Sequence, residues 1–326
     1  MWEQIPVLPL GAIQATVYGL LLSIGVGGGL VWMTFSARRI GLPADGAVRF
    51  GLWAIPMGLL GGRILFVAFR WSLVVDELGW QQIFRLWDGG FALFGVVPGC
   101  LLAALCCARR NHYRAADVLD AAAPGAGLAL ALARFAEAFT SQGVGMPVEP
   151  PALQWFPFAM PDGYGEWMMP VFLWEGIVGL GLAFLAARKL QSTKRRPLDA
   201  ASAWLLGLGL TQVLLESLRS DDLLRLGLVK VSQLAAMACV LAVAVRRMIL
   251  ARRAGCTGRT LSVYGAGLVA GVGVCTAVEF ALDKTTVPNS ALYAVMALSL
   301  TGMAMLTVRL GKLGGISIGH PPAPSF

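Results

Sequence analysis

Six ionisable side chains sit inside stretches of sequence that are otherwise apolar: Arg63, Arg134, Glu137, Glu175, Glu216 and Arg219. They come from four separate stretches. A charge in hydrocarbon is costly enough that an intramembrane ionisable residue marks a functional site by default. Arg134 with Glu137, and Glu216 with Arg219, are spaced i, i+3 and share a helix face. The planar fork of arginine suits phosphate and keeps its charge when desolvated. Convergence of three arginines at one depth predicts a polar chamber that takes a phospholipid headgroup. The same pairs also read as structural ion pairs holding a bundle together.

The elements that must position these residues are long and apolar. Of 326 residues, 57% are hydrophobic and 13% charged, against about 25% charged in soluble domains. Runs long enough to span a bilayer as helices fall near 12–35, 50–71, 90–108, 117–138, 170–188, 200–218, 229–248, 261–281 and 290–310. Met1 to Leu10 carries Glu3 and no basic residue, so the first run reads as a retained helix and not a cleavable signal. The expected fold is all-α, a polytopic membrane bundle of about nine helices.

Most of the 26 basic residues lie in alternate loops. They cluster at Arg38, Arg39 and Arg49, at Arg109, Arg110 and Arg114, from Arg188 to Arg196, from Arg246 to Arg259, and at Arg309 and Lys312. The remaining loops hold Asp76, Glu77, Asp88, Glu149, Asp162, Glu166, Asp221 and Asp222. Basic loops stay cytoplasmic, so the N-terminus is expected outside and the C-terminus inside. The net charge of +8 is then a topology signal, and a nucleic-acid partner is not needed to explain it.

With that orientation, Tyr18, Arg63, Asp88, Arg134, Glu137, Glu175, Glu216, Arg219 and Gln233 all fall toward the outer side, and Asp120 is the main charge buried toward the inner side. Asp88 and Gly89-Gly90 are expected to open the third helix, where a helix N-terminus favours an anion. Gly27-Gly28-Gly29, Gly61-Gly62 and Gly89-Gly90 fit close helix packing. His112 and His320 are both assigned inside, so no histidine base serves the outer chamber. The six cysteines show no CxxC spacing and avoid the outer loops, which supports neither a disulfide frame nor a zinc site. No metal or cofactor is expected.

The outer segment from Thr140 to Met169 is broken by glycines and prolines and carries Trp155, Phe156, Phe158, Tyr164 and Trp167. Such aromatics lie at a membrane interface, and long loops tend to be functional lids. The segment therefore reads as a lid on the outer leaflet or as an interfacial anchor. A cysteine placed at Ala159 is expected to be reachable from outside, and native Cys256 is not.

These residues resemble a known family, the bacterial prolipoprotein diacylglyceryl transferases, over 10–248. VYGLLLSIG at 17–25 is similar to the start of the family's first helix, with Tyr18 in the tyrosine position, and GGRILFV at 61–67 matches at Arg63. WDGGFALFG at 87–95 is similar to a histidine-glycine-glycine motif, with Asp88 in place of the histidine. LARFAEAFTSQGVG at 132–145, preceded by LDAAAP at 119–124, resembles the signature segment. Arg134 and Gly145 match there, while Ala136, Glu137 and Gln142 replace glycine, asparagine and glutamate. MPVFLWEG at 169–176 keeps Glu175, and LGLTQVLLESLR at 208–219 keeps Glu216 and Arg219. In that last segment Leu208 and Gln212 replace a tyrosine and an arginine. VSQL at 231–234 keeps Gln233.

The resemblance implies a seven-helix transferase domain over 1–248, with 249–326 as an extension of two further helices. It implies transfer of the diacylglyceryl group of phosphatidylglycerol to the lipobox cysteine thiol of a prolipoprotein at the outer face of the cytoplasmic membrane. Arg134 and Arg219 would hold the phosphate and Arg63 would support them; Tyr18, Gly145, Glu175, Glu216 and Gln233 would line the headgroup site. With no histidine outside, Asp88 or Glu137 would take the thiol proton, since desolvated carboxylates are stronger bases. A paralogue that binds lipid without this transfer, or that uses another acceptor, fits the same residues. A transporter would instead call for charges at the midplane and broken helices.

Overall fold

Thr16 starts the first helix by accepting a hydrogen bond from the Gly19 N–H at 3.0 Å, the usual work of an N-cap threonine. The computed structural model describes residues 7–10, 13–86, 89–140, 142–162, 164–193, 195–220, 225–226 and 229–316. Helix α1 spans Val17–Arg39, and the residues before it pair as a hairpin, β1 (Val7–Leu10) with β2 (Ile13–Thr16). The apolar run from 12 is therefore split between strand and helix. Then come α2 (Gly46–Phe69), α3 (Leu93–Asn111), α4 (Ala115–Ala136), α5 (Val171–Gln191), α6 (Asp199–Leu218), α7 (Val231–Arg253), α8 (Gly258–Lys284) and α9 (Asn289–Ile316). All nine, among the described residues, are long and apolar enough to cross a membrane.

Small residues set the packing. In lipid there is no hydrophobic force between helices, so backbones approach where glycine and alanine allow it. A Cβ on Gly29 would lie 2.6 Å from the Gly125 carbonyl oxygen, which locks α1 against α4. Gly61 of α2 meets the backbone of Gly95 in α3, Gly179 of α5 meets Ala131 of α4, and Gly209 of α6 meets Ala236 of α7. The glycine pairs of the sequence divide by role. Gly29 and Gly61 are packing positions, whereas a Cβ on Gly27 would meet nothing within 4 Å. Gly89 and Gly90 have φ of +78° and +75°, and a left-handed pair ends regular structure. Helix α3 accordingly begins at Leu93, and the expectation that Gly89-Gly90 open it is corrected. Asp88 itself lies outside the described residues.

Helices α8 and α9 are not set apart. Leu261, Leu268, Cys275, Met296, Met303 and Leu310 belong to one buried apolar cluster with Leu206 and Leu208 of α6 and Val240 of α7.

The segment between α4 and α5 is ordered around short pairings, β3 (Met160–Pro161) with β4 (Trp167–Met168) and a bridge from Pro147 to Met168. Trp155, Phe156, Phe158 and Tyr164 point outward. The Trp174 indole N–H donates to the Pro157 carbonyl at 3.0 Å, tying the segment to α5. Ala159 is fully buried and Tyr164 is 95% exposed, so Tyr164 is an accessible position in this segment and Ala159, expected to be reachable, is not.

At the other end of the bundle Asp120 has a structural use. Its Oδ2 accepts from the Leu198 N–H at 2.9 Å and Arg195 Nη1 at 3.2 Å, and its Oδ1 from the Ala201 N–H at 2.9 Å. A carboxylate from α4 thus caps the N-terminus of α6, where backbone N–H groups lack helical partners. Arg195 also pairs with Asp117 at 3.0 Å. Asp120→Ala leaves the two N–H donors without an acceptor and Arg195 with Asp117 as its remaining carboxylate, at a cost of about 1–3 kcal/mol for each buried group left unsatisfied. Thermal unfolding in detergent is expected to show a large drop for Asp120→Ala and a smaller one for Asp120→Asn, which keeps an acceptor.

Candidate functional site

Three helix ends bring the charged residues together. Arg134 occupies the last turn of α4, and Glu137 follows in a 3-10 turn, Glu137–Phe139. Glu175 lies in the second turn of α5, Glu216 in the last turn of α6, and Arg219 at that helix's C-cap. Adjacent helices run in opposite directions, so the C-terminal ends of α4 and α6 meet the N-terminal end of α5.

The charges alternate in sign. Arg134 Nη1 donates to Glu137 Oε1 at 2.6 Å, and Arg134 Nε lies 3.3 Å from Glu175 Oε2. Arg219 Nη1 donates to Glu175 Oε2 at 2.9 Å and lies 3.3 Å from Glu137 Oε2. Gln212 donates to Glu175 Oε1 and, at 2.9 Å, to Glu216 Oε2. The two arginines therefore face three carboxylates. Gln212, which stands where the resemblance expects an arginine, supplies donors without charge.

Within this cluster the hydrogen-bonding capacity is unevenly used. Arg134 Nε and Glu137 Oε2 are buried and have no aligned hydrogen bond, although an opposite charge lies 3.3 Å from each. At that distance Coulomb attraction persists while a misaligned hydrogen bond contributes little. Arg134 Nη2 makes no hydrogen bond to a described residue, and the side chain is 12% exposed against 4% for Arg219. Arg134 is the arginine of the pair with an open edge. Tyr18 is half-buried, with Glu137, Arg134 and Arg219 as its charged neighbours, and α1 packs on the 3-10 turn carrying Glu137.

Three of the residues singled out in the sequence are engaged with the scaffold. Arg63 donates from Nε to the Ile83 carbonyl at 3.2 Å, from Nη1 to Gly89 at 2.5 Å and Gly90 at 3.1 Å, and from Nη2 to Gln82. It clamps the connection between α2 and α3, and its charge answers carbonyl dipoles. A Cβ on Gly90 would lie 2.6 Å from its Nη1, so this glycine makes room for the clamp. Gly145 threads the backbone between two helix ends. Its N–H donates to the Met169 carbonyl at 2.8 Å, and it forms an isolated bridge with Arg219. Gln233 donates to the Val213 carbonyl at 3.2 Å and to Glu279 at 2.6 Å.

Lys230 carries a role that the sequence did not signal. It is buried, and its ammonium donates to the carbonyls of Glu216 at 2.5 Å and Arg219 at 2.8 Å. A cation at a helix C-terminus is favourable, and here it fixes the backbone that carries Arg219. A lysine one residue before an apolar run reads as a flanking charge, which hides this use. Glu279 falls in the apolar run 261–281, but its partner, 46 residues away in the chain, does not follow from spacing.

The site and bundle are those of a helical membrane protein with a buried ion cluster at one end of its helices. The sequence model of prolipoprotein diacylglyceryl transferase matches residues 6–249, and the chain belongs to that family. A phosphatidylglycerol–prolipoprotein diacylglyceryl transferase of Streptococcus suis is 31% identical over 235 residues, 69% of this chain and 84% of the relative. Proteins of the same name from Gloeobacter violaceus and Streptococcus pneumoniae are 31% and 30% identical, covering 76% and 69% of this chain and 93% and 86% of their own length. With its apolar helices, the chain is a multi-pass membrane protein. The transporter reading is not favoured, since the family and these relatives are transferases by name.

The threading of Gly145 gives a test with opposite signs at two glycines. A Cβ at Gly145 would sit 2.6 Å from Val171 Cγ2 and 2.9 Å from the Leu218 carbonyl oxygen, whereas one at helical Gly181 meets nothing within 4 Å. Gly145→Ala is expected to destabilise by about 1–3 kcal/mol, as overpacking does. Gly181→Ala is expected to stabilise by roughly 0.5–1 kcal/mol through lower backbone entropy. Thermal unfolding of the two variants in one detergent measures both.

Proposed function

We infer that this chain transfers the diacylglyceryl group of phosphatidylglycerol to the cysteine thiol of a prolipoprotein. The observation that carries the reading is the open edge of Arg134, held beside Glu137 and Glu175 in an ion cluster at the meeting of three helix ends. In the reaction a sulfur–carbon bond forms at the glyceryl carbon as that carbon's bond to the phosphate oxygen breaks. The electron pair leaves on glycerol phosphate, and the thiol proton passes to a base. Positive charge fixed where negative charge develops is the largest contribution expected in such a step. Arg134 Nη2 is the donor for the phosphate, while its buried Nε stays beside Glu175. Arg219, bound to Glu175, keeps the carboxylates compensated and orients the cluster. Arg63, clamped to its loop, acts in support.

Glu137, whose Oε2 is buried without an aligned donor, and Asp88 are the two bases for the thiol proton. Tyr18, Glu216, Gly145 and Gln233 shape and hold the headgroup site. The acceptor is the lipobox cysteine following a signal peptide. The enzyme sits in the bacterial cytoplasmic membrane with its N-terminus and site outside and its C-terminus inside. The basic loops support that orientation, and the aromatics of 153–164 fit an outer interfacial lid. The family match, ending near the end of α7, supports a transferase domain over 1–248 and an extension over 249–326.

Arg134→Lys keeps the charge and loses the fork. It is expected to cost about 2–4 kcal/mol of transition-state stabilisation, the range for one preorganised donor, read as kcat in a transfer assay with phosphatidylglycerol vesicles and a lipobox peptide. Equal rates would make Arg134 a point charge only. The same assay without transfer by the wild type would sink the reading. For orientation, Tyr164→Cys should react with an impermeant thiol reagent in intact cells while native Cys256 stays unlabelled. The reverse pattern would invert the bundle.

A further inference from the structure

Two helices beyond the family match reach the site through a chain of hydrogen bonds. Glu279, near the end of α8, is half-buried, and its Oε1 accepts from Gln233 Nε2 at 2.6 Å. The same Nε2 donates to the Val213 carbonyl at 3.2 Å, and Gln233 Oε1 accepts from the Lys230 backbone N–H at 3.3 Å. A primary amide has two donor hydrogens and one acceptor oxygen, so these partners fix which way the Gln233 amide faces. Lys230, held at its backbone by Gln233, directs its ammonium to the Glu216 and Arg219 carbonyls. Arg219 in turn donates to Glu175 at 2.9 Å. From α9, the Tyr293 hydroxyl lies 3.5 Å from the Ser217 carbonyl oxygen at the same end of α6.

A helix whose only task was to pack could do so with apolar side chains. A carboxylate in an apolar segment is costly, and such residues face the bundle interior with a partner. Glu279 has one, and that partner leads to the candidate site. We propose that Glu279 is a positioning residue for the transfer reaction, acting through Gln233 and Lys230 on Arg219, so that α8 belongs to the working site. The proposal rests on the transferase reading above. Without the Glu279 acceptor the Gln233 amide is free to turn over, its hold on Lys230 relaxes, and Arg219 loses its fixed backbone. Misplacement of a group in the reacting cluster lowers turnover more than lipid binding.

The experiment uses the full chain, reconstituted with phosphatidylglycerol and a lipobox peptide. Glu279→Ala is expected to lower kcat about tenfold or more with KM for the lipid within about threefold. Glu279→Gln retains an acceptor oxygen and should restore kcat to within about threefold of the wild type. Thr276→Ala, at an exposed position on the same helix, should leave both constants unchanged. If Glu279→Ala does not fold, Glu279→Asp withdraws the carboxylate by one methylene. A lowered kcat then supports the proposal and an unchanged one overturns it. Wild-type kcat in Glu279→Ala, or Glu279→Gln as impaired as Glu279→Ala, also overturns it. A wild type that transfers nothing overturns the transferase reading itself, whereas an active wild type indifferent to Glu279 overturns only this inference.

Discussion

Charge compensation inside an apolar bundle is the constraint on which the rest of this structure depends. Arg134, Glu137, Arg219 and Glu175 alternate in sign, each within 3.3 Å of two others. Removing any one leaves two like charges sharing a single counterion in a desolvated site, a loss larger than the net worth of the pair. Because the members come from α4, the turn after it, α5 and α6, the requirement fixes three helix ends relative to one another. The cluster is weak evidence of stability, since apolar residues could fill the same space. It is stronger evidence that charge is wanted there.

The backbone around the cluster is arranged to keep it in place. Gly145 lets a strand of the long connection pass between the α5 and α6 ends, bonded to the Met169 carbonyl. Lys230 closes the α6 terminus by taking its carbonyls. At the far end of the bundle Asp120 caps the other terminus of the same helix. Helix α6 is thus held at both ends by charges from neighbouring helices, and Gln212 along its length bridges Glu175 and Glu216. Fixed dipoles and charges of this kind need no reorganisation when the reaction occurs.

The two arginines have become different residues through their surroundings. Both pair with Glu137 and Glu175, but Arg219 is 4% exposed and Arg134 12%, and Arg134 Nη2 makes no hydrogen bond to a described residue. One compensates and the other is available to bind. Gln212 fits this division, since a third cation at that position would compete with Arg219 for the same carboxylates.

The sequence by itself determined the bundle, because a run of apolar residues as long as a bilayer is thick has one stable conformation there. It also determined which charges are buried, and the pairing of Arg134 with Glu137, a contact three residues apart on one helix. Contacts between helices were decided only by the tertiary structure. Arg63 could have met phosphate or carbonyls, and the left-handed turn at Gly89 and Gly90 brought carbonyls to it. The same turn delayed α3 to Leu93. The partner of Glu279 was set by how α8 packs on α7, and Ala159 was buried by the folded connection between α4 and α5. Periodicity and spacing report local geometry, while the choice among distant partners is made by packing, which a linear pattern does not encode.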